Sequence, residues 1–277
     1  MEDESAFGEA YAIVRDLRVR CAWDRAQTPQ SLRPYLREEV AELEEALVEG
    51  DEARIASELG DLLLHFIFQV DLAEERGAFT MADVARTLIA KMKRRHPHLY
   101  GAGAGESWER QKIAERAAHA RAKGAEAGVL GHLPPTLTDL DKAFRFQERA
   151  AAVGFDWSTA AEGFHKIAEE HDELAELFAE AACLAPSGPA DPDRHDPRVL
   201  HEVGDLLFAT VNVARLLHVD PELALRETSR RFERRVTGAA AMAAAEGHPW
   251  SGLDLTRQEA YYQRAKAAEV TAAGDAQ

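Results

Sequence analysis

Apolar residues recur at every third or fourth position through much of this chain. Between Leu36 and Leu47, the residues Leu36, Val40, Leu43 and Leu47 fall on one side of a helix that turns about 100° per residue. Glu38, Glu42 and Glu45 fall opposite, with Glu39 on the flank. The same spacing returns in Ile55, Leu59, Leu62, Phe66 and Val70, and again in Val199, Val203, Leu206 and Val213. Almost no segment shows the two-residue alternation of β-branched side chains that a strand needs, and the prolines cluster between long Ala, Leu, Glu and Arg stretches. The pattern predicts a mainly helical protein with helices over 6–19, 34–49, 53–76, 81–95 and 108–121. A second set is predicted over 137–152, 159–184, 198–218, 221–246 and 256–273.

The two sets repeat one another. Glu38-Glu39 and Glu42 are followed by Glu58-Leu59-Gly60-Asp61, then Lys91 to Arg95, then Trp108 with Lys112. The order returns as Glu169-Glu170 and Glu173, Glu202-Val203-Gly204-Asp205, Arg231 to Arg235, and Tyr262 with Lys266. Upstream, Trp23-Asp24 is answered by Phe155-Asp156. A period this long marks a duplicated domain, since solenoid repeats are shorter. The expected organisation is an N-terminal repeat over 1–122, a glycine- and proline-bearing linker over 123–136, and a C-terminal repeat over 137–277. The second copy carries an extra loop from Pro186 to Pro197 where the first has only the Gly50-Asp51 turn.

Composition narrows the function. Among 277 residues, 49 Asp and Glu stand against 33 Lys and Arg, a formal charge of −16 that argues against direct nucleic-acid binding. The amino-terminal residues are acidic, and the longest apolar run, near Leu62 to Val70, is too short to span a bilayer, so a cytoplasmic protein with no membrane partner is expected. Cys21 and Cys183 are too few and too far apart for a disulfide framework or a cysteine zinc site, which suits a reducing compartment.

The acids carry the candidate chemistry. A lone EExxE is usually a solvated helix face. Here a second helix in each copy adds a Glu and an Asp at i and i+3, a spacing that points both carboxylates the same way: Glu58 and Asp61, or Glu202 and Asp205. Both pairs flank strongly apolar runs, so antiparallel packing would bring four carboxylates together, and their mutual repulsion calls for a cation. Oxygen donors without cysteine point to Mg²⁺ or Mn²⁺. The candidate acids are Glu169, Glu170, Glu173, Glu202 and Asp205 in the second copy, with Glu38, Glu39, Glu42, Glu58 and Asp61 as a possible second site in the first.

Other residues suit a phosphate substrate. Arg231, Arg234 and Arg235 offer donors for phosphate oxygens, and Tyr262 with Lys266 one turn later offers a ring and an ammonium on one face. Lys166 and Asn212 sit on the acidic faces of their helices, whereas the first copy has Tyr35 and Phe68 there. This asymmetry favours the second copy for turnover. Two other readings compete. A di-iron bundle needs Glu-x-x-His on two helices, and Glu162 to His165 is an isolated match with no repeat partner. A non-catalytic helical nucleotide-binding or scaffold protein competes most strongly for the first copy.

From about Tyr11 to Lys266 the sequence closely resembles the MazG family of tandem-repeat, all-α nucleoside triphosphate pyrophosphohydrolases. The resemblance rests on Trp23-Asp24 with Gln27-Thr28, on Glu38 to Glu42, on Glu58 to Asp61, and on Arg94-Arg95-His96-Pro97-His98. In the second copy it rests on Val153 to Trp157, Glu169 to Glu173 and Gly204 to Asn212. It implies two tandem MazG-type helical bundles, a homodimer, and Mg²⁺-dependent hydrolysis of nucleoside triphosphates to monophosphate and pyrophosphate with broad base tolerance. It also implies that the second repeat is the competent one. Carried onto this chain, Glu170, Glu173, Glu202 and Asp205 are expected as metal ligands. Lys166, Arg231, Arg235, Tyr262 and Lys266 are expected to contact triphosphate and base. Water would attack the α-phosphorus, with Glu169 as a candidate for orienting it beside Glu170 and Glu173.

Overall fold

The computed structural model describes residues 2–101, 111–115, 118, 128–180 and 196–274, and among these residues all regular structure is helical. Trp108, Cys183 and nearly all of the loop from Pro186 to Pro197 lie outside the described residues. The chain divides into two compact units, Met1–Gly105 and Glu106–Gln277. The first holds α1 (Glu2–Arg20), α2 (Ala22–Ala26), α3 (Arg33–Glu49), α4 (Glu52–Glu75), α5 (Met81–Arg95) and α6 (Pro97–Tyr100). The second holds α7 (Asp139–Ala152), α8 (Ala160–Glu180), α9 (Pro197–Leu216), α10 (Pro221–Ala245) and α11 (Leu255–Gly274). Each unit thus runs in the same order: an entry helix, the EExxE helix, the ExxD helix and an Arg-bearing helix.

Local chemistry sets the turns. α3 ends at Gly50, whose φ of 70° is left-handed and suits glycine, and its N–H donates to the Ala46 carbonyl. The next residue, Asp51, caps α4 by accepting from the amides of Ala53 and Arg54. Asp220 caps α10 and Thr138 caps α7 in the same way, and Thr80 with Asp83 forms a reciprocal capping box on α5.

In the first unit, Val14, Leu32, Ile67, Phe68 and Leu72 make the core, with Tyr11, Leu63 and Met81 packed around it. Arg18 ties α1 to its surroundings. Its guanidinium takes both carboxylate oxygens of Glu75, at 2.7 and 2.9 Å, and donates to the backbone carbonyls of Asp24 and Gln27. On α3 the inward line runs through Glu39, Leu43 and Ala46, and the apolar residues Leu36, Val40 and Leu47 remain exposed. The stripe expected from periodicity is therefore mostly turned away from the core of its own unit, and the less exposed side of α3 carries Glu39, Glu45 and Ala46 beside Leu43.

In the second unit, α8 packs against α9, and α10 packs against α11. Gly163 lets α8 and α9 approach: a Cβ there would lie 3.2 Å from Val213 and 3.4 Å from the Trp157 ring. Ala239, Ala243 and Ala265 close the α10–α11 contact with small side chains around the Tyr261 ring. The segment 128–133, expected from composition to be linker, is fastened to this unit. Leu133 is buried, and Arg149 donates to the carbonyls of Leu130 and His132.

Candidate functional site

Helices α8 and α9 bring three acids to one point. Glu170, Glu173 and Glu202 each offer a carboxylate oxygen, and these atoms lie within 4.8 Å of one another. Glu170 is 4% exposed, Glu202 is partly buried and Glu173 is exposed. Oε2 of Glu202 is shut off from solvent and has no hydrogen-bond partner. Burial first, and then the nearby charges of Glu170 and Glu202, hold the Glu173 carboxyl above the usual carboxylate range. A buried, unpartnered oxygen among crowded carboxylates fits a hard cation, which would satisfy the oxygen and remove the repulsion together.

Lys166 partly neutralises the group. Its ammonium lies 2.9 Å from Glu169 and 2.7 Å from Glu170, and hydrogen bonds to these two acids, Glu169 first, push its pKa further up. Glu169 itself is exposed and is held beside Glu170 by this shared lysine. The fourth expected ligand, Asp205, is not in the trio. Its Oδ2 lies 3.3 Å from Nε2 of His201, one turn back on α9.

Asp205 instead joins Glu170, Lys166 and Asn212 in lining a cavity of about 640 Å³ between α7, α8 and α9. That volume suits a small ligand. Its walls are mainly apolar: Phe146, Trp157 and Phe208, with Val129 and Leu130 from the segment held by Arg149. Phe155, at the same cavity, is 82% exposed and presents an open ring. At the polar end, Arg215 donates from Nε to Oδ1 of Asn212 at 2.8 Å and pairs through a second nitrogen with Asp156. Gln147, which is nearly buried, completes this wall.

The expected phosphate contacts lie elsewhere in the unit. Arg231, Arg234 and Arg235 are on α10, Tyr262 and Lys266 are on α11, and none of the five lines the cavity. Arg235 donates to Glu269 at 2.7 Å, and Arg234 lies 3.6 Å from the same acid. Arg231 donates to Thr228, and the Tyr262 ring packs 6.0 Å from that of Phe232. The structure thus brings together the acids, Lys166 and Asn212, and holds the arginine group apart on the α10–α11 pair.

The first unit has the acids without the same surroundings. Glu39, Glu58 and Asp61 lie within 4.8 Å of one another, and Glu42 is outside that group. Burial and the charges of Asp61, Glu42, Glu58 and Glu38 raise the Glu39 pKa. At the positions matching Asn212 and Lys166 stand Phe68, 3% exposed in the core, and Tyr35, edge-on to Trp23 with ring centres 5.9 Å apart.

Sequence reasoning did not single out Gln147, Arg215, or the Val129-Leu130 wall. Gln147 sits in an ordinary amphipathic helix and Arg215 in an apolar one, so only packing reveals them. Asp156 had a signal, its match to Asp24 in the repeat.

Comparisons with known proteins agree with this architecture. A family model described as the MazG nucleotide pyrophosphohydrolase domain matches residues 27–100. The chain is 38% identical over 268 residues to the nucleoside triphosphate pyrophosphohydrolase/pyrophosphatase MazG of Thermotoga maritima, covering 96% of this chain and 97% of that protein. It is 34% identical over 264 residues to the nucleoside triphosphate pyrophosphohydrolase of Escherichia coli K12, covering 93% and 94%. Among the described residues, no helix is long and apolar enough to cross a membrane.

Proposed function

Since this chain belongs to the MazG nucleotide pyrophosphohydrolase family, we propose that its second unit hydrolyses nucleoside triphosphates to nucleoside monophosphate and pyrophosphate with the aid of Mg²⁺. One observation carries the reading: Glu170 belongs to the acidic trio and also lines the cavity. A triphosphate whose base enters the cavity therefore brings its phosphates to the acids.

Glu170, Glu173 and Glu202 would hold the cation, with Asp205 one turn along α9 facing the same cavity. When bound, Mg²⁺ or Mn²⁺ supplies charge that stabilises the phosphates and lowers the pKa of a coordinated water. Lys166 keeps Glu169 and Glu170 side by side and adds positive charge where phosphate oxygens would lie. Glu169, held beside Glu170 by Lys166, would take a proton from the attacking water. That water adds to the α-phosphorus, the bond to the bridging oxygen breaks, and pyrophosphate leaves with the electron pair. Phe155 offers an open aromatic face to the base, and stacking of this kind tolerates different bases. Broad base tolerance suits a role in removing aberrant triphosphates or in control of nucleotide pools.

A homodimer belongs to the same proposal. Leu36, Val40, Leu47, Leu59 and Phe66 are all exposed on α3 and α4, and a second copy would cover them. A tandem pair of repeats over 1–122 and 137–277, a cytoplasmic location and the absence of direct nucleic-acid binding complete the reading. For the first unit, Phe68 buried in the core and Tyr35 packed edge-on to Trp23, at the positions of Asn212 and Lys166, favour a non-catalytic, structural role. The arginine group with Tyr262 and Lys266 would reach the phosphates only after Arg235 and Arg234 release Glu269.

The test is incubation of the full chain with each triphosphate and Mg²⁺, separating monophosphate plus pyrophosphate from diphosphate plus orthophosphate. In ¹⁸O-water the label should enter the monophosphate. Diphosphate as product, or label in pyrophosphate, would refute attack at the α-phosphorus.

A further inference from the structure

Gln147 lies on α7 in the cavity wall and is 6% exposed. Its Nε2 donates to the backbone carbonyl of Phe208 on α9 at 2.8 Å. A carbonyl only accepts, so this contact forces the NH₂ end of the amide toward Phe208 and sets the orientation of the group. The other end, Oε1, is left shut off from solvent and without a hydrogen-bond partner. An unsatisfied buried acceptor is a standing cost to the folded chain, and a ligand that brings a donor removes it. The surroundings sharpen the effect. Phe146, Phe208 and Ala209 line the same cavity and can offer no side-chain donor. Counted from the matching Trp23-Asp24 and Phe155-Asp156 pairs, the first repeat has Arg15 at this place, joined to Asp71 at 3.0 Å and Glu74 at 3.3 Å. The orphan acceptor therefore belongs to the unit that has the cavity.

Building on the nucleotide site proposed above, we infer that Gln147 Oε1 reads the substrate base by accepting a hydrogen bond from an exocyclic amino group. Oε1 is shut off from solvent in this structure, so a base meets it only after a small turn of the Gln147 amide toward the cavity. An amino group that projects beyond the ring edge would then meet it sooner than a ring N–H lying flush with that edge. Bases bearing an exocyclic amine are then the preferred class within an otherwise tolerant, stacking pocket, and Gln147 is a specificity-determining contact.

The experiment compares kcat/KM for two matched pairs: ATP against purine riboside triphosphate, and CTP against the triphosphate of pyrimidin-2-one riboside. Each pair differs only by the exocyclic amine. In the wild-type protein the aminated member of at least one pair should be favoured about tenfold or more, mainly through KM. In Gln147→Met, which keeps the length and removes the acceptor, that preference should fall to about twofold or less. A purely structural amide would lower both members of a pair together. Ratios near one for both pairs in the wild type, or a preference unchanged in Gln147→Met, would overturn the inference while leaving pyrophosphohydrolysis intact. Absence of pyrophosphate from every substrate would overturn both readings. If Gln147→Met does not fold, the wild-type ratios still decide.

Discussion

The ammonium of Lys166 lies 2.7 Å from Oε1 of Glu170, the most deeply buried member of the acidic trio. Without this contact three carboxylates would face one another across a partly desolvated space with no counter-charge from their own helix. With it, the trio is assembled but still carries excess negative charge, and the Glu173 carboxyl is raised by desolvation first and then by the charges of Glu170 and Glu202.

Removal of one acid should separate catalysis from folding. Glu170→Gln or Glu202→Gln is expected to lower kcat/KM by about 100-fold or more and to leave the metal-free melting temperature unchanged or higher, since repulsion is relieved. Mg²⁺ should raise the melting temperature of the wild type and have a much smaller effect on either variant. Scanning calorimetry with and without Mg²⁺, alongside pyrophosphate release, checks both parts. A chelator should abolish turnover reversibly.

The contrast between Phe68 and Asn212 leads to opposite outcomes at matching positions. Phe68→Ala empties a core site in the first unit and should cost about 3–5 kcal/mol, read by denaturant unfolding. Asn212→Phe should instead place a ring in the cavity of the second unit and raise KM for triphosphate severalfold or more, with little loss of stability. Equal effects on stability from the two substitutions would contradict the view that one space is filled and the other open.

His65 makes the stability of the first unit depend on pH. It is buried, its Nδ1 has no partner, and burial lowers its pKa, although Asp61 partly opposes this. Below its ordinary value of about 6.5 the unfolded chain binds more protons at this residue than the folded one does. Its contribution to stability is therefore present at higher pH and lost as pH falls from about 6.5 toward the depressed folded value. His65→Leu removes this term, so the melting temperature of the variant relative to wild type should rise between about pH 7 and pH 5. A difference independent of pH would show that His65 does not titrate on unfolding.

The exposed line Leu36, Val40 and Leu47 is the proposed dimer contact. Val40→Glu should weaken self-association by about 100-fold or more and leave helix content unchanged. Sedimentation velocity over a concentration series, with circular dichroism as control, reads this directly. A wild-type chain that sediments as a monomer at every concentration would exclude the dimer.

Much of this was legible in the residues. Periodicity located the long helices to within a few positions, because burying a helix face requires apolar side chains at a spacing set by backbone geometry. The ordered return of Glu170, Glu173, Glu202 and Asp205 after Glu39, Glu42, Glu58 and Asp61 exposed the duplication, and the exchange of Tyr35 and Phe68 for Lys166 and Asn212 separated the copies. What the linear pattern could not decide was which side of each helix meets which neighbour. Leu36, Val40 and Leu47 look like a core stripe, yet the less exposed side of α3 runs through Glu39, Leu43 and Ala46. Asp205 shares its spacing with Glu202, yet it faces His201 and the cavity. The arginines of α10 look poised for phosphate, yet two of them are joined to Glu269. Gln147 carries no motif at all. Its unpartnered oxygen exists only because Phe208, 61 positions away in the chain, fixes the other end of the amide. Helix propensity and periodicity act over a turn or two of chain, whereas cavity shape, counter-charges and unsatisfied donors or acceptors arise from groups that meet only when helices pack.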